Sequence, residues 1–87
     1  MNKAQIYTMA SCPYCQKAKR LLKTLNIDFS EIDVTNSFDE MQKTLREKFS
    51  LKDISTVPQI ILNDKYVGGY DDLEEYYKKN NLADYLQ

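Results

Sequence analysis

The chain has two cysteines, Cys12 and Cys15, separated by two residues in Ser11-Cys12-Pro13-Tyr14-Cys15. Thiols at this spacing can be joined in one disulfide and parted again, which is dithiol redox chemistry. That chemistry needs one sulfur exposed and held as a thiolate, because the thiolate is the nucleophile. A short apolar run of β character, Ile6-Tyr7-Thr8-Met9, precedes the pair, and a helical pattern follows it. The pair is therefore expected where a strand passes into a helix. Pro13 suits the first helical position, since its fixed φ matches the helix and its missing N–H would have had no partner there. Cys12 is then the N-cap and Cys15 the third helical residue. The Cys12 sulfur would face the N–H groups of Tyr14 and Cys15 at the positive end of the helix dipole, and both favour a thiolate. The dipole alone typically supplies about 0.3–1 kcal/mol. The larger share must come from direct N–H···S bonds and from the Cys15 S–H. Cys15, within the same turn, is near enough to close a disulfide and buried enough to wait as a thiol.

Two other readings of the cysteines weigh less. A zinc site generally takes four Cys or His ligands, and the sequence has no His and no second cysteine pair. A permanent structural disulfide would close so short a loop that it stabilises little.

The elements that must position the pair can be read along the chain. Ala4 to Met9 is a first strand, and Pro13 to about Asn26 a helix with Ala18, Leu21, Leu22 and Leu25 on its core face. Lys17, Lys19, Arg20 and Lys23 read as its solvated face. Phe29 to Val34 alternates as a second strand, so a right-handed parallel βαβ unit is expected. Ser37 and Glu40 have the spacing of a capping box, opening a helix to about Phe49 through Phe38, Met41 and Leu45. Ile60-Ile61-Leu62 and Lys65-Tyr66-Val67 form a hairpin about the turn pair Asn63-Asp64. Gly68 and Gly69, the only glycines, end it where the backbone needs unusual φ or close approach. Asp71 is expected to cap a last helix whose inner face is Leu73, Tyr76 and Tyr77. Leu82, Tyr85 and Leu86 read as packing residues of a short tail. The order β-α-β-α-β-β-α gives an α/β, thioredoxin-like fold, with a four-stranded mixed sheet flanked by three or more helices.

The whole chain bounds the function further. Its 87 residues make one domain, 1–87, and 12 basic against 13 acidic side chains leave a net charge of −1. No general attraction to nucleic acid follows. No basic segment leads into a long apolar run, so no signal peptide is expected, and no stretch reaches membrane-spanning length. Cysteine usage points to a reducing, cytoplasmic compartment.

Taken together, four segments resemble the dithiol glutaredoxins over essentially the full length: Cys12-Pro13-Tyr14-Cys15, Glu31-Ile32-Asp33-Val34, Thr56-Val57-Pro58-Gln59, and Gly68-Gly69-Tyr70-Asp71-Asp72-Leu73. The resemblance implies glutathione-dependent thiol–disulfide exchange. Cys12 would attack disulfides or glutathionylated thiols, Cys15 would resolve, and glutathione would regenerate the dithiol. It also implies a cis Val57-Pro58 peptide and a Val57 backbone free to pair with the extended peptide glutathione. The γ-glutamyl carboxylate would lie at the N-terminus of the last helix, and its ammonium at Asp71 and Asp72. The implied glutathione-binding set is Tyr14, Thr56, Val57, Pro58, Gly69, Tyr70, Asp71 and Asp72. No metal and no permanently bound cofactor is implied. Disulfide or glutathionylated proteins, ribonucleotide reductase among them, would be the partners of a monomer.

The sequence departs from the family where many members carry Lys or Arg, three residues before the first cysteine; Met9 stands there. Lys17, Arg46 and Lys48 are the candidates to compensate, and the sequence does not place them. Tyr70 stands where smaller residues are common. Two rivals keep the same fold. A redoxin reduced by thioredoxin reductase is favoured by Met9 and opposed by the Gly68–Leu73 segment. A carrier of an iron–sulfur cluster bridged between two chains is opposed by the rigid turn at Pro13. The intact Cys-Pro-Tyr-Cys opposes an interaction domain without chemistry.

Overall fold

In the computed structural model the described residues are 2–51, 54, 56–79 and 85. The first strand, β1 (Lys3–Thr8), alternates strictly: Ala4, Ile6 and Thr8 are buried. Helix α1 (Pro13–Thr24) follows, then β2 (Asp28–Asp33), α2 (Phe38–Phe49), β3 (Gln59–Leu62), β4 (Lys65–Gly68) and α3 (Tyr70–Lys78). The four strands lie in the order β2-β1-β3-β4. β1 pairs in parallel with β2, with Lys3 opposite Asp28 and Thr8 opposite Asp33. It pairs antiparallel with β3, with Ile6 opposite Ile60. The expected mixed sheet and element order are thus present, with boundaries one or two residues from those read in the sequence.

The sheet has helices on both faces. On one face Ala4, Ile6, Ile60, Leu62 and Val67 pack with Ala18 and Leu22 of α1 and Leu73 of α3. On the other, Val34, Ile54 and Ile61 pack with Met41 and Leu45 of α2. β3 lies between the two cores and all four of its residues are buried. This explains its continuous apolar run, since a strand covered on both sides has no polar face to show. The β3–β4 hairpin turns on Asn63 (φ 51) and Asp64 (φ 66), both left-handed as a two-residue hairpin turn requires. The Asn63 side chain also accepts from the Lys3 N–H at 3.0 Å and donates to the Tyr85 carbonyl at 2.7 Å.

Several expectations are corrected. α1 ends at Thr24, and Asn26, at φ 58, lies beyond it in a left-handed conformation. Ser37 is the N-cap of α2, but its side chain makes no capping bond. The dipole is met instead by Asp39 and Glu40 in the first turn. Gly69, not Asp71, is the N-cap of α3, because the helix begins at Tyr70. Tyr77 is 45% exposed, so the inner face of α3 is Leu73 and Tyr76 without it. Tyr76 meets Tyr85 with ring centroids 5.3 Å apart. Leu82 and Leu86 lie outside the described residues. Lys19 is also not simply solvated: it is 18% exposed and bonds both Glu31 oxygens, at 3.2 and 3.1 Å. The buried Thr8 hydroxyl donates to the same carboxylate at 2.9 Å. Thr8 first, and Lys19 with it, hold the Glu31 carboxyl below its usual range.

Candidate active site

The site is built at the C-terminal end of β1. The chain leaves the strand, turns through Ser11 at φ 59, and enters α1 with Cys12 as N-cap and Pro13 at the first helical position. The Cys12 backbone is extended (φ −102, ψ 107), which turns the side chain back over the helix end. Its Sγ accepts the Cys15 N–H at 3.3 Å. The Tyr14 N–H, also expected as a donor, makes no such bond. Both cysteines are free thiols. Cys12 is partly exposed, whereas Cys15 is 1% exposed. The pair is therefore asymmetric, with one sulfur open to reagents and the other closed off.

Burial, and next its hydrogen bond to Cys12, push the Cys15 thiol up to about 12. The Met9 N–H and the Lys19 ammonium act in the opposite direction. Between the usual value of 9.0 and about 12 the unfolded chain has lost this proton while the folded chain keeps it. This contribution is therefore intact below about pH 9 and is lost as pH rises toward 12. We expect the stability of the reduced protein to fall from pH 8 to pH 10 more steeply than that of Cys15→Ser. Parallel denaturant titrations of the two proteins check this.

Across from Cys12 is the loop before β3. The Val57-Pro58 peptide is cis, and the Val57 carbonyl is 3.8 Å from Cys12 Sγ. Beyond it opens a groove of about 450 Å³, lined by Tyr14, Ile54, Thr56, Val57, Pro58, Gln59, Tyr66, Gly69, Tyr70, Asp71 and Asp72. The groove thus brings together all eight non-cysteine residues of the expected set, with Cys12 at its edge. Ile54, Gln59 and Tyr66 had not been expected there. Gln59 opens a strand and Tyr66 lies within one, and strand alternation alone does not say which face meets a groove. Met9 packs against the second core, and Lys17, Arg46 and Lys48 do not line the groove.

The far end of the groove is the start of α3. The Gly69 N–H donates to Asp72 Oδ2 at 3.1 Å, so Asp72 supplies the cap that Asp71 had been expected to give. Gly68 has φ +122, and a Cβ there would lie 2.4 Å from Asp72 Oδ2 and 2.9 Å from its Cγ. A Cβ on Gly69 would meet only the Pro58 carbonyl, at 3.5 Å. The two glycines are therefore not equivalent. Gly68→Ala should destabilise the chain by about 1–3 kcal/mol, through its φ and through displacing Asp72 from its cap. Gly69→Ala should cost far less. Urea titration of both variants checks the contrast.

Tyr70 walls the groove beside Tyr14, with ring centroids 6.1 Å apart. Its hydroxyl donates to Glu74 Oε2 at 2.6 Å. This bond, first among the causes, keeps the Tyr70 hydroxyl protonated above its usual range. Tyr14 is 54% exposed, and Lys17 Nζ lies 5.2 Å from the centre of its ring. The large residue at position 70 is thus tied on one side to α3 and on the other to the Cys-Pro-Tyr-Cys turn.

Comparison with known proteins agrees with this geometry. Residues 4–67 match the glutaredoxin family model. A glutaredoxin 1 of Rickettsia bellii is 42% identical over 92 aligned positions, covering 100% of this chain and 94% of that protein. A glutaredoxin 3 of Escherichia coli is 33% identical over 73 positions, covering 84% and 83% respectively. Among solved structures, glutaredoxin 1 from Francisella tularensis, crystallised with cacodylate, superposes with a TM-score of 0.74. It is 32% identical, and the match covers 93% of this chain and 98% of that one. The fold is accordingly the thioredoxin-like fold of glutaredoxins.

Proposed function

Given that the chain belongs to the glutaredoxin family of glutathione-dependent thiol oxidoreductases, we propose how its residues divide that work. Cys12 is the attacking sulfur. Its thiolate attacks one sulfur of a substrate disulfide, forms a mixed disulfide and expels the other half as a thiolate. The partly exposed position at the head of α1, with the Cys15 N–H directed at the sulfur at 3.3 Å, supports this assignment.

The mixed disulfide then has two exits. With a protein substrate, Cys15 gives up its proton and attacks Cys12 Sγ. The substrate thiolate leaves, and a Cys12–Cys15 disulfide remains. One glutathione reopens it as a mixed disulfide on Cys12, and a second releases glutathione disulfide. With a glutathionylated substrate the protein thiol leaves first, Cys12 keeps the glutathionyl group, and one further glutathione removes it as glutathione disulfide. Cys15 is not needed on that route.

The groove is the single observation that carries the glutathione reading. It runs from Cys12 past the Val57 backbone to the start of α3, and it suits a short extended peptide. The Val57 backbone would pair with the cysteinyl residue. The γ-glutamyl carboxylate would take N–H groups of the first turn of α3, with the ammonium at the carboxylates of Asp71 and Asp72. Tyr14 would flank the bound sulfur. Disulfide proteins such as ribonucleotide reductase are the proposed partners, met by a monomer in the reducing cytoplasm. The deciding experiment compares turnover of a glutathionylated peptide with two reductants. Turnover with glutathione and glutathione reductase is expected. Turnover only with thioredoxin reductase would overturn the reading.

A further inference from the structure

Gln59 is 4% exposed, and its amide is engaged at both ends. Its Nε2 donates to the Thr56 carbonyl at 2.9 Å, and its Oε1 accepts from the Tyr66 hydroxyl at 2.5 Å. The two contacts join three pieces of backbone: the loop before β3, the start of β3, and β4. Tyr66 is itself held, since its ring lies 5.7 Å from that of Phe49 at the end of α2. Burial, and then the Asp72 carboxylate, raise its hydroxyl above the usual range, so it stays a donor throughout neutral pH. Thr56 immediately precedes Val57, whose carbonyl stands 3.8 Å from Cys12 Sγ. The tether therefore acts one residue away from the backbone that faces the reactive sulfur.

An apolar side chain would fill the same space at the head of β3. A buried amide gains little there unless its hydrogen bonds do something, because unmatched polar atoms are costly to bury. Here both bonds end on the walls of the groove, which Gln59 and Tyr66 themselves line. We propose that Tyr66 and Gln59 are positioning residues: a two-bond brace that holds the Thr56-Val57 backbone at the spacing where a γ-glutamyl thiol peptide pairs beside Cys12. The inference deepens the glutathione reading above and rests on it. Neither residue takes part in the exchange of electrons.

Tyr66→Phe tests the brace with little change in shape, since it removes one oxygen. Gln59 Oε1 is then left buried without its donor, and the amide can turn away and release Thr56. Two readouts are taken on each protein: kcat/KM for a glutathionylated peptide, and the rate at which iodoacetamide alkylates Cys12, which needs no groove. The expected result is a fall of about 5–10-fold in kcat/KM, as for loss of one buried hydrogen bond, with alkylation within about twofold of wild type. Gln59→Leu should give a similar fall. Adding Tyr66→Phe to it should cause no further loss, because the two act through one connection. An unchanged kcat/KM in Tyr66→Phe would overturn the brace. So would equal losses in both readouts, or fully additive losses in the double variant. Failure of the wild-type chain to turn over the glutathionylated peptide would instead refute the glutathione reading itself.

Discussion

Cys12→Ser should abolish turnover of glutathionylated peptides and of protein disulfides alike, by at least about a thousandfold, as expected when a nucleophile is removed. The substituted hydroxyl stays protonated at neutral pH and forms no bond to sulfur that glutathione could reopen. Among the described residues that line the groove there is no other thiol. Cys15 is 1% exposed, and burial, the first cause that raises its thiol, is unchanged by the substitution, so it stays closed to substrate and protonated. The fold should survive, because Cys12 lies at a helix end and belongs to neither core. Glutathione-coupled assays on the two substrate classes measure the loss, and circular dichroism verifies the helix content.

Cys15→Ser should separate the two routes. Removal of glutathione from a glutathionylated peptide should stay within a few-fold of wild type, since glutathione itself resolves that intermediate. Reduction of a protein disulfide should fall by about a hundredfold, with a long-lived mixed disulfide on Cys12 visible by mass spectrometry. The structure shows why the substitution is informative. Cys12 Sγ accepts from the backbone N–H of residue 15, at 3.3 Å, and not from its side chain alone. Serine keeps that N–H, so the change removes the resolving sulfur while leaving this bond to the attacking one in place. Equal loss on both substrates would show that Cys15 supports the attack of Cys12 rather than resolution.

Much of this arrangement was legible in the residues. Cys12 and Pro13 fall at the N-cap and first helical positions because local backbone chemistry decides them: an extended cap and a fixed φ leave little choice. The alternation in β1 and the apolar periodicity of α1 likewise follow from burial on one face. Cap partners were less legible. Asp71 and Asp72 are adjacent and chemically alike, and only the point at which Gly68 turns, at φ +122, shows that Asp72 faces the Gly69 N–H. Ser37 and Glu40 have capping-box spacing, yet the Ser37 backbone (φ −140, ψ 31) forms no side-chain cap. Gln59 and Tyr66 were not legible as groove residues because their partners lie on separate strands and in a loop. Pairings of that kind depend on strand register, which changes by a bulge between Ile60 and Ile61.

The most direct test of the account is which sulfur iodoacetamide reaches first in the native, fully reduced chain. At pH 7 it should give a single adduct on Cys12, which is partly exposed, and leave Cys15, which is 1% exposed, unmodified until the chain is unfolded. An adduct that forms first on Cys15, or equal labelling of the two in the folded chain, would contradict it.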